Sequence, residues 1–198
     1  MTRRASSEGF AALKEKLAAR PPARLEAEGA LEASVALLLV PGAGGPEALF
    51  IRRAERADDP WSGHVALPGG RREPSDRDLL ATAIRETSEE VGVALGPALL
   101  LGGLDDLRPR TPSLPPLLIR PYVFGLAARP KLRPNGEVAG VMWLALPGLV
   151  ARAGRAVVSV RGAATEVDCF RLGDAVIWGL TYRILRGLLP LLAGTPPL

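Results

Sequence analysis

The stretch "AIRETSEEVGV", residues 83–93, sets Glu86, Glu89 and Glu90 within five positions and puts Arg85 beside them. On a helix these glutamates stand three and four residues apart, so all three carboxylates leave from one side. Like charges at that spacing repel by about 0.2–0.5 kcal/mol per pair. A bound cation would offset the repulsion. Carboxylates without a soft ligand among them suit a hard ion, Mg²⁺ or Mn²⁺, which takes oxygen ligands and leaves positions for water and substrate phosphates. Arg85 is placed to hold one of the carboxylates. Taken alone, the stretch also reads as a solvated acidic helix end. The upstream "LPGG", residues 67–70, shifts the balance. Gly69 and Gly70 permit a sharp turn and close approach of backbone to a ligand, a short distance ahead of the acidic face.

The elements that must position these groups follow from periodicity. "SDRDLLATAIRETSEEVGV" predicts a helix with Ser75 or Asp76 as its cap, an apolar face of Leu79, Leu80, Ala83, Ile84 and Val91, and Gly92 closing its C-terminus. Before it runs a long polar loop, "ERADDPWSGHVALPGGRREP", of the kind that is functional when ordered. "EASVALLLVP", residues 32–41, predicts a strand buried on both faces, paired with a second strand over "EALFIRRA". Further strands are expected in "ALLLGGLDDLRP", "PLLIRPYVFGLAA" and "EVAGVMWLAL", with "RAVVSV" and "VDCFRL" as a hairpin. Phe10, Leu13 and Leu17 mark a helix over residues 8–19, capped by Ser6 or Ser7. "GDAVIWGLTYRILRGLLPLL" reads as a closing helix, and Trp143 and Trp178 as core residues. Strands and helices do not alternate regularly, so a mixed sheet packed between helices is expected rather than a doubly wound parallel one.

Composition bounds the rest. At 198 residues and 47% hydrophobic content, the chain can bury one substantial core. The net charge is +4, carried almost wholly by scattered Arg in runs no longer than two, which argues against a nucleic-acid-binding tail. A single cysteine, Cys169, allows no disulfide within the chain and fits a reducing intracellular compartment, the cytoplasm. Its apolar neighbours mark it as a packed residue, not a nucleophile. "MTRRASSEGF" turns polar too early for a signal peptide, and Arg183 and Arg186 interrupt the apolar C-terminal run, so no membrane role is expected. The apolar final helix and open strand edges fit a homodimer.

"GGRREPSDRDLLATAIRETSEEVGV" resembles the signature of the Nudix hydrolases. Gly70, Arg85, Glu86, Glu89, Glu90, Gly92 and Val93 take the roles of that pattern. This chain departs from it in having Asp76 where Glu is usual, one extra residue between Gly70 and Arg85, and Thr87 in place of an aliphatic. The resemblance implies an α/β fold, a Nudix-like α/β/α sandwich with a mixed β-sheet between helices. Residues 1–30 would then be an N-terminal helical extension packed on a Nudix domain of residues 31–198. It implies hydrolysis of a nucleoside diphosphate linked to another group, with Glu86, Glu89, Glu90 and Gly70 as metal ligands and Glu89, Glu90 and Arg85 in catalysis. In this family a further base or ligand comes from a separate loop. Glu137 in "NGEVAGVMW" is the first candidate for it, and Glu166 the second.

"LFIRRA…SGHVALPGG", the longer lead into the helix and "IWGLTYRIL" resemble the coenzyme A pyrophosphatase branch, which implies cleavage of CoA to 3′,5′-ADP and 4′-phosphopantetheine. Asp59 stands where that branch has Arg, with Arg56 as a spatial substitute, and Leu67 stands where it has Phe. ADP-ribose, dinucleoside polyphosphates or nucleoside triphosphates are the alternative substrates, and a non-catalytic nucleotide sensor is the alternative class. Arg52 or Arg53, at the end of the second strand, could bind phosphate, with Gly69 and Gly70 beside it; strand alternation would turn only one of the two arginines to the site. Trp61 and His64 read as residues that fix the loop.

Overall fold

The computed structural model describes residues 2–55, 62–109, 116–160, 163–173 and 175–192. Arg56, Asp59 and Trp61, named above, lie outside them.

The strand β1 (Leu31–Gly42) is the axis of the molecule. Its uninterrupted apolar run is explained by burial on both faces, as successive side chains point to opposite sides. Leu37 and Leu39 face one cluster, joined by Ala48 and Phe50 of β2 (Gly45–Arg53). Phe10, Leu13 and Leu17 of helix α1 (Thr2–Ala19) and Ile184, Leu185 and Leu188 of helix α3 (Gly179–Leu192) fill that side. Ala36, Leu38 and Val40 face the opposite cluster with Leu49 and Ile51, against Ala83 and Val91 of helix α2 (Leu79–Val91). Two helices therefore cover one face of the sheet and one covers the other, an α/β/α arrangement.

The pairing of β1 positions the site. Near its end β1 runs antiparallel to β2, from Leu39↔Ala48 to Gly42↔Gly45. Near its start it pairs instead with β4 (Gly69–Arg71), with Ser34 opposite Gly70 and Val35 opposite Gly69. The sheet forks at this change of partner, and the glycine loop emerges at the fork. On its other edge β1 runs parallel to β6 (Leu117–Gly125), which pairs with β5 (Leu100–Gly103). β2 also pairs with β3 (Val65–Ala66) and with β7 (Val138–Ala145), completing a seven-stranded mixed sheet. β8 (Ala153–Val160), β9 (Ala163–Leu172) and β10 (Ala175–Trp178) form a separate antiparallel sheet of three. Cys169 of β9 is free and buried. Among the described residues no helix is long and apolar enough to cross a membrane.

Several local expectations are corrected. α1 begins at Thr2, so Ser6 and Ser7 lie within it rather than at its start. The cap of α2 is Asp78, whose carboxylate accepts the Ala81 N–H at 2.8 Å; Asp76 is drawn away to Arg85. The closing segment divides into β10 and α3 at Gly179, where φ of +62° ends the strand, and Pro190 falls in the last turn of α3. The polar loop contains β3 and β4. Trp143 and Trp178 are only partly buried: the Arg129 guanidinium lies 5.8 Å from the Trp143 ring, and His64 meets Trp178 edge-on at 4.9 Å.

A buried carboxylate ties the segment after α1 to the sheet. The Asp106 side chain is fully enclosed. It accepts hydrogen bonds from Arg24 and Arg120 at 2.7 Å each and from the Leu25 N–H at 3.0 Å. Burial opposes its charge, but these donors together hold its carboxyl below the ordinary value.

Candidate active site at the glycine loop and the acidic helix

The α2 helix presents its glutamates at three depths, not on one uniformly wet face. Glu90 is buried, at 3% exposure, and its carboxylate accepts the Gly69 N–H at 2.8 Å. Glu86 is half-buried, with its carboxylate directly over Gly70. The Glu89 side chain is 54% exposed. Thr87, at the position of the usual aliphatic, is buried, and its hydroxyl donates to the Ala83 carbonyl at 2.7 Å, so a polar group sits in the core already satisfied.

Arg85 organises this face. Its guanidinium donates to both oxygens of Asp76 at 3.0 Å, to Glu86 at 3.0 Å, to Glu89 at 2.9 Å and to the Arg71 carbonyl at 2.9 Å. The hydrogen bonds from Arg85 pull the Asp76 carboxyl down to about 2. Asp76 also accepts from the Thr82 hydroxyl and the Glu73 N–H, so the shorter Asp in place of Glu still reaches its partners. One arginine thus binds the loop that carries Gly69 and Gly70 to the helix that carries the glutamates.

A Cβ would be obstructed at both glycines, by a side-chain end at Gly70 and by backbone at Gly69. A Cβ at Gly70 would stand 2.4 Å from a Glu86 carboxylate oxygen. At Gly69, where φ is +153°, it would stand 2.3 Å from the Ser34 carbonyl and 2.6 Å from the Val35 Cα.

Glu137 arrives from the loop before β7. That loop is fastened to the C-terminus of α2, where helix carbonyls lack intrahelical donors. The Arg133 N–H donates to Val91 O at 2.8 Å and the Asn135 N–H to Glu90 O at 3.0 Å. Gly92 closes the helix with φ of +71° and packs against Arg133, where a Cβ would lie 2.8 Å from that residue's own Cβ. The Glu137 carbonyl accepts from the Ala54 N–H at 2.8 Å, one residue beyond Arg53. Electrostatics report the convergence. Burial pushes the Glu90 carboxyl up to about 7; the Gly69 hydrogen bond and the Arg53 charge oppose this, and the charges of Glu86 and Glu137 add to it. Burial likewise raises Glu86, with Glu89 and Glu137 contributing in the same direction.

The structure therefore brings Glu86, Glu89, Glu90, Arg85, Gly69, Gly70, Arg53 and Glu137 to one place. Arg52 is exposed and lies across from Gly140, and the register shifts between Arg52 and Arg53. Glu166 sits on β9 in the other sheet, paired with Arg155 at 3.0 Å. The Gly69–Glu90 hydrogen bond and the part played by Asn135 were not foreseen from the sequence. The Asn135-Gly136 pair is a turn signal that could have pointed to the latter.

A divalent cation can be tested against this set. The donors are all hard carboxylate oxygens, and Glu86 and Glu90 each suffer from their neighbours' negative charge, which a cation would relieve. Among the described residues no group of three or more His, Cys, Asp or Glu already has ligating geometry, since Arg85 holds Glu86 and Glu89. The chemistry of the donors fits, and Arg85 already gathers Glu86 and Glu89 at one guanidinium.

The pH dependence follows from Glu90. Its folded value of about 7 exceeds its ordinary 4.5, so the folded protein binds this proton more tightly than the unfolded chain. Its contribution is complete below pH 4.5 and is lost as pH rises to about 7. Asp76 acts oppositely, and only as pH falls from 3.8 through about 2. The Tm of chelator-treated protein is expected to fall between pH 5 and 7 by the Glu90 share, while Glu90→Gln flattens this part of the curve; calorimetry across the range checks it.

Sequence and fold both place the chain in a known family. The NUDIX domain profile matches residues 30–159. The human mitochondrial coenzyme A diphosphatase NUDT8 is 33% identical over 183 residues, covering 90% of this chain and 76% of that protein. An uncharacterized protein of Schizosaccharomyces pombe is 40% identical over 116 residues, 56% of this chain, and the match spans only 35% of that protein. The NUDIX hydrolase of Alicyclobacillus acidocaldarius shares the fold, with a TM-score of 0.54 at 19% identity over 81% of this chain and 91% of that one. The chain belongs to the Nudix hydrolase family.

Proposed function

We propose that the protein hydrolyses the diphosphate bond of coenzyme A or its derivatives, giving 3′,5′-ADP and 4′-phosphopantetheine, with Mg²⁺ or Mn²⁺ as cofactor. The observation that carries the hydrolytic reading is the convergence of Glu86, Glu90 and Glu137 beside the glycine loop. The CoA reading is supported by similarity to a coenzyme A diphosphatase along nine-tenths of the chain.

Glu86, Glu89 and Glu90 would hold the cation, with the Gly70 carbonyl as a further oxygen donor. When bound, it neutralises diphosphate charge and lowers the pKa of water. Arg53 binds a phosphate oxygen of the substrate, its charge already directed at the glutamates. Glu137 accepts the proton of the attacking water. The water oxygen bonds to phosphorus, the anhydride P–O bond breaks, and the electron pair leaves with the departing phosphate. Arg85 keeps Glu86 and Glu89 in reach of the cation, and Gly70 leaves the space that Glu86 occupies. The protein is assigned to a reducing compartment, the cytoplasm, on its lone buried cysteine, although its human relative is named as mitochondrial.

The test is a panel of diphosphates with Mg²⁺ and Mn²⁺, with products identified by mass. CoA is expected to show the highest kcat/KM, and 3′,5′-ADP is expected among its products. An ADP-ribose kcat/KM equal to or above that for CoA would defeat the substrate assignment and leave the hydrolytic one standing.

A further inference from the structure

We infer that Asn135 is a positioning residue for Glu137, resting on the reading of Glu137 as a site carboxylate. Two bonds from one residue make the connection. The Asn135 N–H donates to the Glu90 carbonyl at 3.0 Å, and the Asn135 side-chain Oδ1 accepts the Glu137 N–H at 2.8 Å. A third, from the Val138 N–H to the Asn135 carbonyl at 3.2 Å, closes the turn as it enters β7. Asn135 is therefore a bracket between the last turn of α2, which carries Glu90, and the backbone of Glu137.

Asn suits this place for a physical reason. A side-chain oxygen one carbon from Cα reaches the N–H two residues on, which stabilises a turn without a regular ladder. The residue is exposed, as are Arg133, Pro134, Gly136 and Glu137, so hydrogen bonds rather than enclosure in the core shape this part of the loop. The Ala54 N–H ties the Glu137 carbonyl to β2, and the Asn135 Oδ1 ties its amide end to the end of α2. Side chains that act at a reacting centre lose rate steeply when displaced by about 1 Å. Asn135 touches no substrate in this scheme; it sets where the Glu137 carboxylate stands relative to Glu86 and Glu90.

The experiment is a double-mutant cycle of Asn135→Ala and Glu137→Gln, with Asn135→Asp as the conservative variant, assayed on the best substrate of the panel. Amide hydrogen exchange of the cation-free proteins is measured alongside. Asn135→Ala is expected to lower kcat about tenfold with KM within about twofold, to leave Tm nearly unchanged and to speed exchange of the Glu137 amide. In the Glu137→Gln background it should cause no further loss. Asn135→Asp, which keeps the acceptor oxygen, should restore most of the rate. An equal loss in both backgrounds, or slow amide exchange in Asn135→Ala, overturns the inference while leaving Glu137 in its role. Wild-type turnover in Glu137→Gln overturns the role of Glu137, and the inference with it.

Discussion

Glu90→Gln is expected to lower kcat by about 10²–10⁴-fold while leaving the fold intact. The two halves of that result have separate causes. Glu90 is enclosed, and its carboxylate accepts a hydrogen bond from the Gly69 N–H. A glutamine carbonyl oxygen can accept the same bond, so the glycine loop stays docked. What disappears is the negative charge, which the buried site destabilises and which only a cation would make favourable there. The substitution should therefore make the cation-free protein more stable above pH 7, not less. Loss of activity with a gain in stability is the signature of a charge kept for function. Steady-state kinetics with saturating Mg²⁺, paired with calorimetry in chelator at pH 8, reads both. Retained turnover would show that Glu90 does not serve the cation, and a lowered Tm would show that its charge is a structural asset.

The two glycines should separate fold from chemistry in the same way. Gly70 has ordinary backbone geometry, and the obstacle to a Cβ there is the end of a flexible side chain, Glu86. Gly70→Ala is expected to fold with a stability loss of about 1 kcal/mol or less, and to push Glu86 aside, so that turnover falls about 10²-fold. Gly69 has φ of +153° and would drive its Cβ into the backbone of β1, which has strands on both sides and nowhere to move. Gly69→Ala should cost about 3 kcal/mol or more and give little soluble protein. Denaturant melts and kinetics on both variants distinguish these outcomes. A stable but inactive Gly69→Ala, or an unfolded Gly70→Ala, would contradict this division of labour.

Much of this arrangement was determined locally. The spacing of Glu86, Glu89 and Glu90 on a 3.6-residue period, the apolar stripe of Leu79, Ala83 and Val91 and the stop at Gly92 are properties of one contiguous segment. The unbroken run in β1 announced burial on both faces for the same reason, because alternation within a strand needs no partner to be read. Local signals also misled where they were equivalent. Ser75, Asp76 and Asp78 can all cap a helix, and the choice fell to Asp78 because Asp76 has a stronger partner in Arg85, nine residues on.

The tertiary structure decided what periodicity cannot contain. Three carboxylates that leave one side of a helix become a buried, a half-buried and an exposed group only when the Gly69–Gly70 loop is laid against them at the fork in β1. Glu137 reaches them across some fifty residues of chain, because unsatisfied carbonyls at the end of α2 capture the Arg133 and Asn135 N–H groups. Glu166 was the second claimant, but it folds onto a different sheet and pairs with Arg155. A carboxylate's identity is written in the chain. Its burial, and hence the proton affinity that makes Glu90 useful, depends on neighbours that only folding assembles.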